Sequence, residues 1–308
     1  MSNQYLPEGQ LLDTPENKAA CSSYTALQHA MEREQVLEGR AILCTPEHDL
    51  LVSVGEFSGI IRREESALGI REGKTREIAI LSRVGKAICF TVVGIKMEEG
   101  EPIFILSRRR AQELAQREFL ETLPHGTIIP ATVTHMENFG VFVDIACGFI
   151  SMIGIENISV SRISHPNRRF HIGQKIHVAI SGVDHDRGRI FLTHKELLGT
   201  WSENAEQFMP GMTVSGYVRG LKEYGAFIEL TPNLTGLADR TEDLQEDDRV
   251  SVFIKAILPE RMKIKLLIIH RLEPDPTPAP LVYYQRSGCL GGWCYAPENC
   301  CRVNALAI

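Results

Sequence analysis

Short apolar runs, each bounded by Gly, Asn or Pro, recur three times along the chain. Gly39, Gly126 and Gly211 each open such a segment, 87 and 85 residues apart. A first run follows each glycine: Arg40-Ala41-Ile42-Leu43, Thr127-Ile128-Ile129-Pro130-Ala131-Thr132-Val133 and Met212-Thr213-Val214-Ser215-Gly216-Tyr217-Val218. A second comes next: Leu50-Leu51-Val52-Ser53-Val54, Phe139-Gly140-Val141-Phe142-Val143-Asp144-Ile145 and Tyr224-Gly225-Ala226-Phe227-Ile228-Glu229-Leu230. Runs this short, rich in β-branched and aromatic residues, predict the strands of small barrels. So long a period means domains side by side, not a solenoid. Between the copies the apolar spacing turns helical. Residues 107–123 have Ser107 as N-cap and Ala111, Leu114, Ala115, Phe119 and Leu123 on one stripe. Residues 195–208 carry Leu197, Trp201, Ala205 and Phe208. Both predict helices packed on a neighbouring barrel.

The division expected is an N-terminal segment (1–38), a degenerate barrel (39–107), a linker helix (108–125), a second barrel (126–194), a second linker helix (195–210) and a third barrel (211–273). A Pro-rich linker and Cys-containing tail follow (274–308). Four prolines between 274 and 280 predict a stiff, extended connection.

Two copies share an aromatic-Gly-x-Phe spacing, Phe139-Gly140-x-Phe142 and Tyr224-Gly225-x-Phe227. Residues three apart on a regular strand face opposite sides. A bulge at the glycine would bring both rings to one face. Such a pair on a barrel's outer surface stacks unpaired bases, at ~1–3 kcal/mol per base; the competing reading is that one or both rings fill the barrel.

With these residues the repeat resembles the RNA-binding module of the ribosomal protein S-one family. The matching segments are Phe139-Gly140-Val141-Phe142-Val143-Asp144, Gly173-Gln174-Lys175-Ile176, and Asp184 followed by Gly188-Arg189-Ile190-Phe191-Leu192-Thr193-His194-Lys195. The match is strong over 126–195, moderate over 211–270 and weak over 39–107. Ile158-Ser159-Val160-Ser161-Arg162-Ile163-Ser164-His165-Pro166 and Lys195-Glu196-Leu197-Leu198-Gly199-Thr200-Trp201 are similar to segments of the short Gram-positive members. The resemblance implies a mainly β fold of three tandem OB-type five-stranded barrels joined by short α-helices. It places RNA contacts at Phe139, Phe142, Asp184 and Arg189, with Gly154 where the family has a histidine. The third copy keeps Tyr224 and Phe227, has Asp239 at the histidine position and puts Lys263 in the arginine's place. The first copy aligns His48 and Leu51 with the two rings, and reads as a docking or spacer module.

Charge ranks the copies the same way. Residues 126–200 hold seven basic and six acidic side chains, and 211–273 hold nine and ten. The whole chain carries −6, which argues against a purely electrostatic nucleic-acid binder. The polar loop with Arg162, His165, Arg168, Arg169 and His171 is expected to flank the RNA groove, His165 and Arg168 contributing contacts. Arg108, Arg109 and Arg110 read as a solvated run at a helix start. Cys289, Cys294, Cys300 and Cys301 are a zinc set of low weight, because the spacing is irregular and two thiols are adjacent; no metal or cofactor is expected. No nucleotide-binding or catalytic motif is present, so no catalytic residue is assigned.

Average composition, with 44% hydrophobic and 23% charged residues, excludes a disordered chain. No apolar run reaches about 18 residues, and the N-terminus lacks the pattern of a signal peptide. The expected protein is cytoplasmic and ribosome-associated. It is a non-catalytic binder of single-stranded RNA or mRNA in translation, partnered by the small ribosomal subunit, with no membrane and no small-molecule substrate. The alternatives are a ribosome- or protein-docking scaffold and an accessory subunit of an RNA-processing enzyme.

Overall fold

A computed structural model describes residues 4–184, 188–240, 243–275, 280–297 and 300. Two helices, α1 (Pro15–Ala20) and α2 (Tyr24–Glu32), precede the first strand and are capped by the Thr14 and Ser23 side chains. The first barrel comprises β1 (Leu37–Cys44), β2 (Leu50–Val54), β3 (Phe57–Ile61), β4 (Ala87–Glu98) and β5 (Glu101–Ser107), with α3 (Ile78–Leu81) between β3 and β4. Helix α4 (Arg108–Glu118) leads into the second barrel. Its strands are β6 (Ile128–Glu137), β7 (Gly140–Ala146), β8 (Phe149–Gly154), β9 (Lys175–Asp184) and β10 (Arg189–Thr193). Helix α5 (Trp201–Ala205) precedes the third, formed by β11 (Thr213–Lys222), β12 (Gly225–Thr231), β13 (Leu234–Ala238), β14 (Arg249–Leu258) and β15 (Lys263–Arg271).

Each barrel closes with its strands in the order first, second, third, fifth, fourth. The third and fifth strands run parallel; the other printed pairings are antiparallel. Alternation along the strands fills the interior. On β7, Val141, Val143 and Ile145 point inward and are fully buried, while Phe142 points out. Closure leaves no free sheet edge.

The barrels are joined by more than linkers. Residues 4–12 run between the first two barrels. There the Glu8 carboxylate takes Arg108 Nε at 2.6 Å and Arg83 at 3.1 Å. Burial pushes the Glu8 carboxyl up, but the two guanidinium groups outweigh it and hold it below the ordinary carboxylate range. Arg108 is therefore an interior residue, not part of a solvated run. Arg109 pairs with Glu113 and Glu65, and Arg110 with Glu34. Val36 and Cys89 of the first barrel, Ala111, Leu114 and Ala115 of α4 and the interior of the second barrel form one continuous apolar cluster.

The helix expected over 195–208 is broken. A single 3-10 turn (Lys195–Leu198) ends at Gly199, whose φ of +83° an L side chain rarely adopts, and α5 restarts with Thr200 as its cap. A Cβ at Gly199 would also lie 2.6 Å from the Tyr284 ring. That ring belongs to the tail, which folds back rather than trailing. Residues 276–279 of the Pro-rich stretch lie outside the described residues. Residues 281–297 strap the second and third barrels. Ile128 donates to the Gly288 carbonyl at 2.9 Å and Leu290 to Gly126 at 2.8 Å. Tyr295 is buried against the third barrel and donates its hydroxyl to the Asn233 carbonyl at 2.6 Å.

Candidate nucleic-acid interface

Gly140 opens β7, and Phe139 sits just before it in the β6–β7 turn. Phe139 is 57% exposed and its ring meets Phe142 edge-on, with centroids 6.1 Å apart and planes at 87°. The two rings share one face, as a bulge at the glycine would have made them, but by a different route. The register shift lies on β6 between Val133 and His135, opposite the rings, not at Gly140. Gly140 has another role: a Cβ there would sit 2.5 Å from the Ile153 carbonyl, so only glycine lets β7 and β8 approach this closely.

Cross-strand register extends this face. Phe142 is paired with His135 on β6 and Met152 on β8, and Met152 with Phe191 on β10. His135, Met152 and Phe191 are all exposed, Phe191 by 52%. Phe191 lies opposite Gly182, and Arg189 opposite Asp184, at the end of β9 and β10. The surface is a strip of apolar and aromatic side chains with the exposed Arg189 guanidinium at its border.

The third barrel repeats the pair. Tyr224 is 69% exposed and meets Phe227 at 6.1 Å and 85°, with the register shift again on the partner strand, between Val218 and Gly220. Its row runs Gly220, Phe227, Leu237, Lys265, and Lys263 sits opposite Leu258. Asp239 is 3.9 Å from Lys255. In the first barrel the same row is aliphatic: Leu43, Leu51, Ile60 and Ile105. His48 is half-buried beside Glu77.

The loop expected to flank the groove does something else. Its residues clasp the third barrel. Val160 and Ser161 donate their backbone N–H groups to Asn233 Oδ1 and the Pro232 carbonyl. Arg169 is buried against Glu229, which also takes Arg219 Nε at 2.9 Å. Arg168 reaches Asp247 at 2.8 Å, and His165 accepts the Asn167 N–H through Nδ1 as a cap. Arg168 thus pairs with a carboxylate of the third barrel while staying exposed, and His165 caps a turn through one ring nitrogen. Two of the loop's charges, Arg168 and Arg169, are paired with acids of the next barrel.

Among the described residues the tail thiols do not converge. Cys289 donates to the His125 carbonyl at 3.1 Å and Cys294 to the Ala296 carbonyl at 3.7 Å. Cys301 lies outside the described residues. Among the described residues no group of three or more His, Cys, Asp or Glu side chains is placed to hold a metal ion.

Comparison with known proteins fits this geometry. The model of the S1 RNA binding domain matches residues 122–195. The small ribosomal subunit protein bS1 of Leuconostoc lactis is 32% identical over 56% of this chain and 44% of its own length. That of Staphylococcus saprophyticus is 28% identical over 79% of this chain and 67% of its own. The second barrel is thus similar to the S1 RNA binding domain, and the chain to bS1 proteins over a larger part of its length. The chain spans less than half the length of the Leuconostoc lactis protein and of the bS1 homolog of Bacillus subtilis, which is 33% identical. Among solved structures, a multidomain protein with nucleic acid binding domains from Streptococcus pneumoniae covers 78% of this chain and 75% of its own, at 14% identity and a TM-score of 0.26.

Within this S1-like barrel, sequence reasoning missed His135, Met152 and Phe191 as members of the strip. Alternation was the available signal, since Ile190 and Leu192 are buried and leave Arg189 and Phe191 on the outside. The described residues contain no helix long and apolar enough to cross a membrane.

Proposed function

We propose that this chain binds single-stranded RNA without catalysing a reaction, and that it does so as a cytoplasmic component of translation attached to the small ribosomal subunit, with mRNA as its ligand. The observation that carries the reading is the edge-to-face pair of exposed Phe139 and half-buried Phe142 on the outer wall of an S1-like barrel. Exposed rings lose water on contact with the faces of unpaired bases and discriminate poorly among them. With basic and acidic side chains nearly balanced over 126–200, stacking supplies most of the affinity. The contacts proposed are Phe139, Phe142, Asp184 and Arg189 in the second barrel, and Tyr224, Phe227 and Lys263 in the third.

A different reading is favoured for the first barrel. Its outer row offers aliphatic side chains and no ring, so it suits protein docking rather than bases.

The test compares an unstructured RNA with a duplex of the same sequence, titrated against the intact protein. Clear preference for the single strand, with modest sequence bias, is the expected result. Equal or tighter binding of the duplex overturns the reading.

A further inference from the structure

We propose that Phe191 carries an additional nucleobase site in the second barrel, and that the matching position of the third barrel, Lys265, contacts a phosphate instead. The inference rests on the RNA-binding reading above and extends it to residues outside the motif positions.

The register fixes the geometry. His135, Phe142, Met152 and Phe191 are neighbours across β6, β7, β8 and β10. Adjacent strands are about 4.8 Å apart, so the row spans roughly 14 Å, and Phe142 and Phe191 stand roughly 10 Å apart with Met152 between them. A thioether between two rings gives a continuous apolar floor that adapts to whatever lies on it. Phe191 is 52% exposed although barrel interiors are available on both sides of it in sequence, where Ile190 and Leu192 are buried. Its cross-strand partner, Gly182, has no side chain with which to cover it. A half-exposed phenylalanine in line with the exposed His135 ring and the half-buried Phe142 ring is an apolar surface awaiting a flat partner. The Arg189 guanidinium, two residues away on the same face of β10, is placed for the backbone of the same strand.

The third barrel shows the contrast at the same place. There the row runs Gly220, Phe227, Leu237 and Lys265, and Lys265 is exposed. Glycine replaces the imidazole, leucine the thioether, and an ammonium the third ring. A lysine offers a point charge and no stacking face, so this barrel gains a counterion-releasing contact where the second gains a base.

The experiment titrates the intact protein with a single-stranded oligoribonucleotide and with an oligomer of the same sugar–phosphate backbone lacking bases. Phe191→Ala is expected to weaken binding of the base-bearing strand by about 5- to 100-fold and to leave the abasic strand unaffected. Phe191→Tyr, which keeps a ring, is expected to retain the affinity. Lys265→Ala is expected to weaken both strands alike and to flatten the salt dependence by about one contact. Circular dichroism of each variant confirms that the barrels remain closed. If Phe191→Ala binds as the wild type does while Phe139→Ala/Phe142→Ala loses affinity, the additional site is wrong and the RNA reading stands. If neither variant loses affinity, the RNA reading itself fails.

Discussion

Single side chains show how differently the two kinds of charge are used in this chain. Arg189 is exposed at the edge of the strip, whereas Arg169 and Arg219 are buried on either side of Glu229. Burial pulls the Arg169 guanidinium down from its ordinary value, while Glu229 and Asp247 hold Arg219 above it despite burial. Removing one member of such a group leaves the others charged and unpaired in the interior, which costs about 3–5 kcal/mol. Glu229→Ala should therefore destabilise the contact between the second and third barrels by about that amount, read as a lowered denaturation midpoint. An unchanged midpoint would show that the clasp is incidental. Nothing near Arg168 or Arg169 in sequence announces these partners, because Glu229 and Asp247 belong to another repeat. That is why a loop of basic residues reads locally as a phosphate contact. Phe139 and Phe142 were legible for the opposite reason, since their arrangement depends on neighbours within one hairpin. Phe191 was missed although alternation with the buried Ile190 and Leu192 put it outside, because its neighbours on the strip, His135, Phe142 and Met152, come from three other strands and are joined to it only by the folded register.

At the scale of elements, the strands and their order follow from short apolar runs between turn residues, and α4 from its Ser107 cap, which accepts the Arg110 N–H at 3.0 Å. The tail is the element that the sequence concealed. Its apolar and aromatic residues have no periodicity, and only the folded barrels supply the surfaces they fit. Its anchor can be tested through pH. His194 is buried, with Nδ1 2.8 Å from the Ile158 carbonyl and Nε2 3.1 Å from the Tyr283 hydroxyl. Nδ1–H therefore donates to the carbonyl and Nε2 accepts from Tyr283, an arrangement that requires the neutral ring. Burial pushes the His194 pKa down to about 4, against the Ile158 carbonyl and with help from Arg169. A histidine with a depressed folded pKa gives stability that is complete above its unfolded value of about 6.5 and is lost as pH falls toward 4. Between pH 7.5 and pH 5 this group alone should cost about 2 kcal/mol. Faster hydrogen exchange over β10 and residues 281–297 at pH 5 is the expected signature, and His194→Gln should abolish that part of the pH dependence. Identical pH profiles for variant and wild type would remove His194 from the anchor.

Across the whole molecule, the three barrels present different side chains at one corresponding row. The second offers His, Phe, Met and Phe, the third Gly, Phe, Leu and Lys, and the first only aliphatic side chains. The shared core around α4 and the strap over the last two barrels bind these surfaces together. Their contributions are therefore best separated by substitution in the intact chain rather than by cutting it into barrels. Ring removal in the second barrel should cost most, Tyr224→Ala/Phe227→Ala less, and Leu51→Ala nothing. With a net charge of −6, few counterions are released, so the salt dependence of RNA binding should be shallow. The most direct test of stacking by the second barrel is one titration of the intact protein with an unstructured RNA, repeated for Phe139→Ala/Phe142→Ala. Two lost stacking contacts should weaken binding by ~2–5 kcal/mol while the circular dichroism melt stays that of the wild type. An undiminished affinity in a variant that remains folded would contradict it.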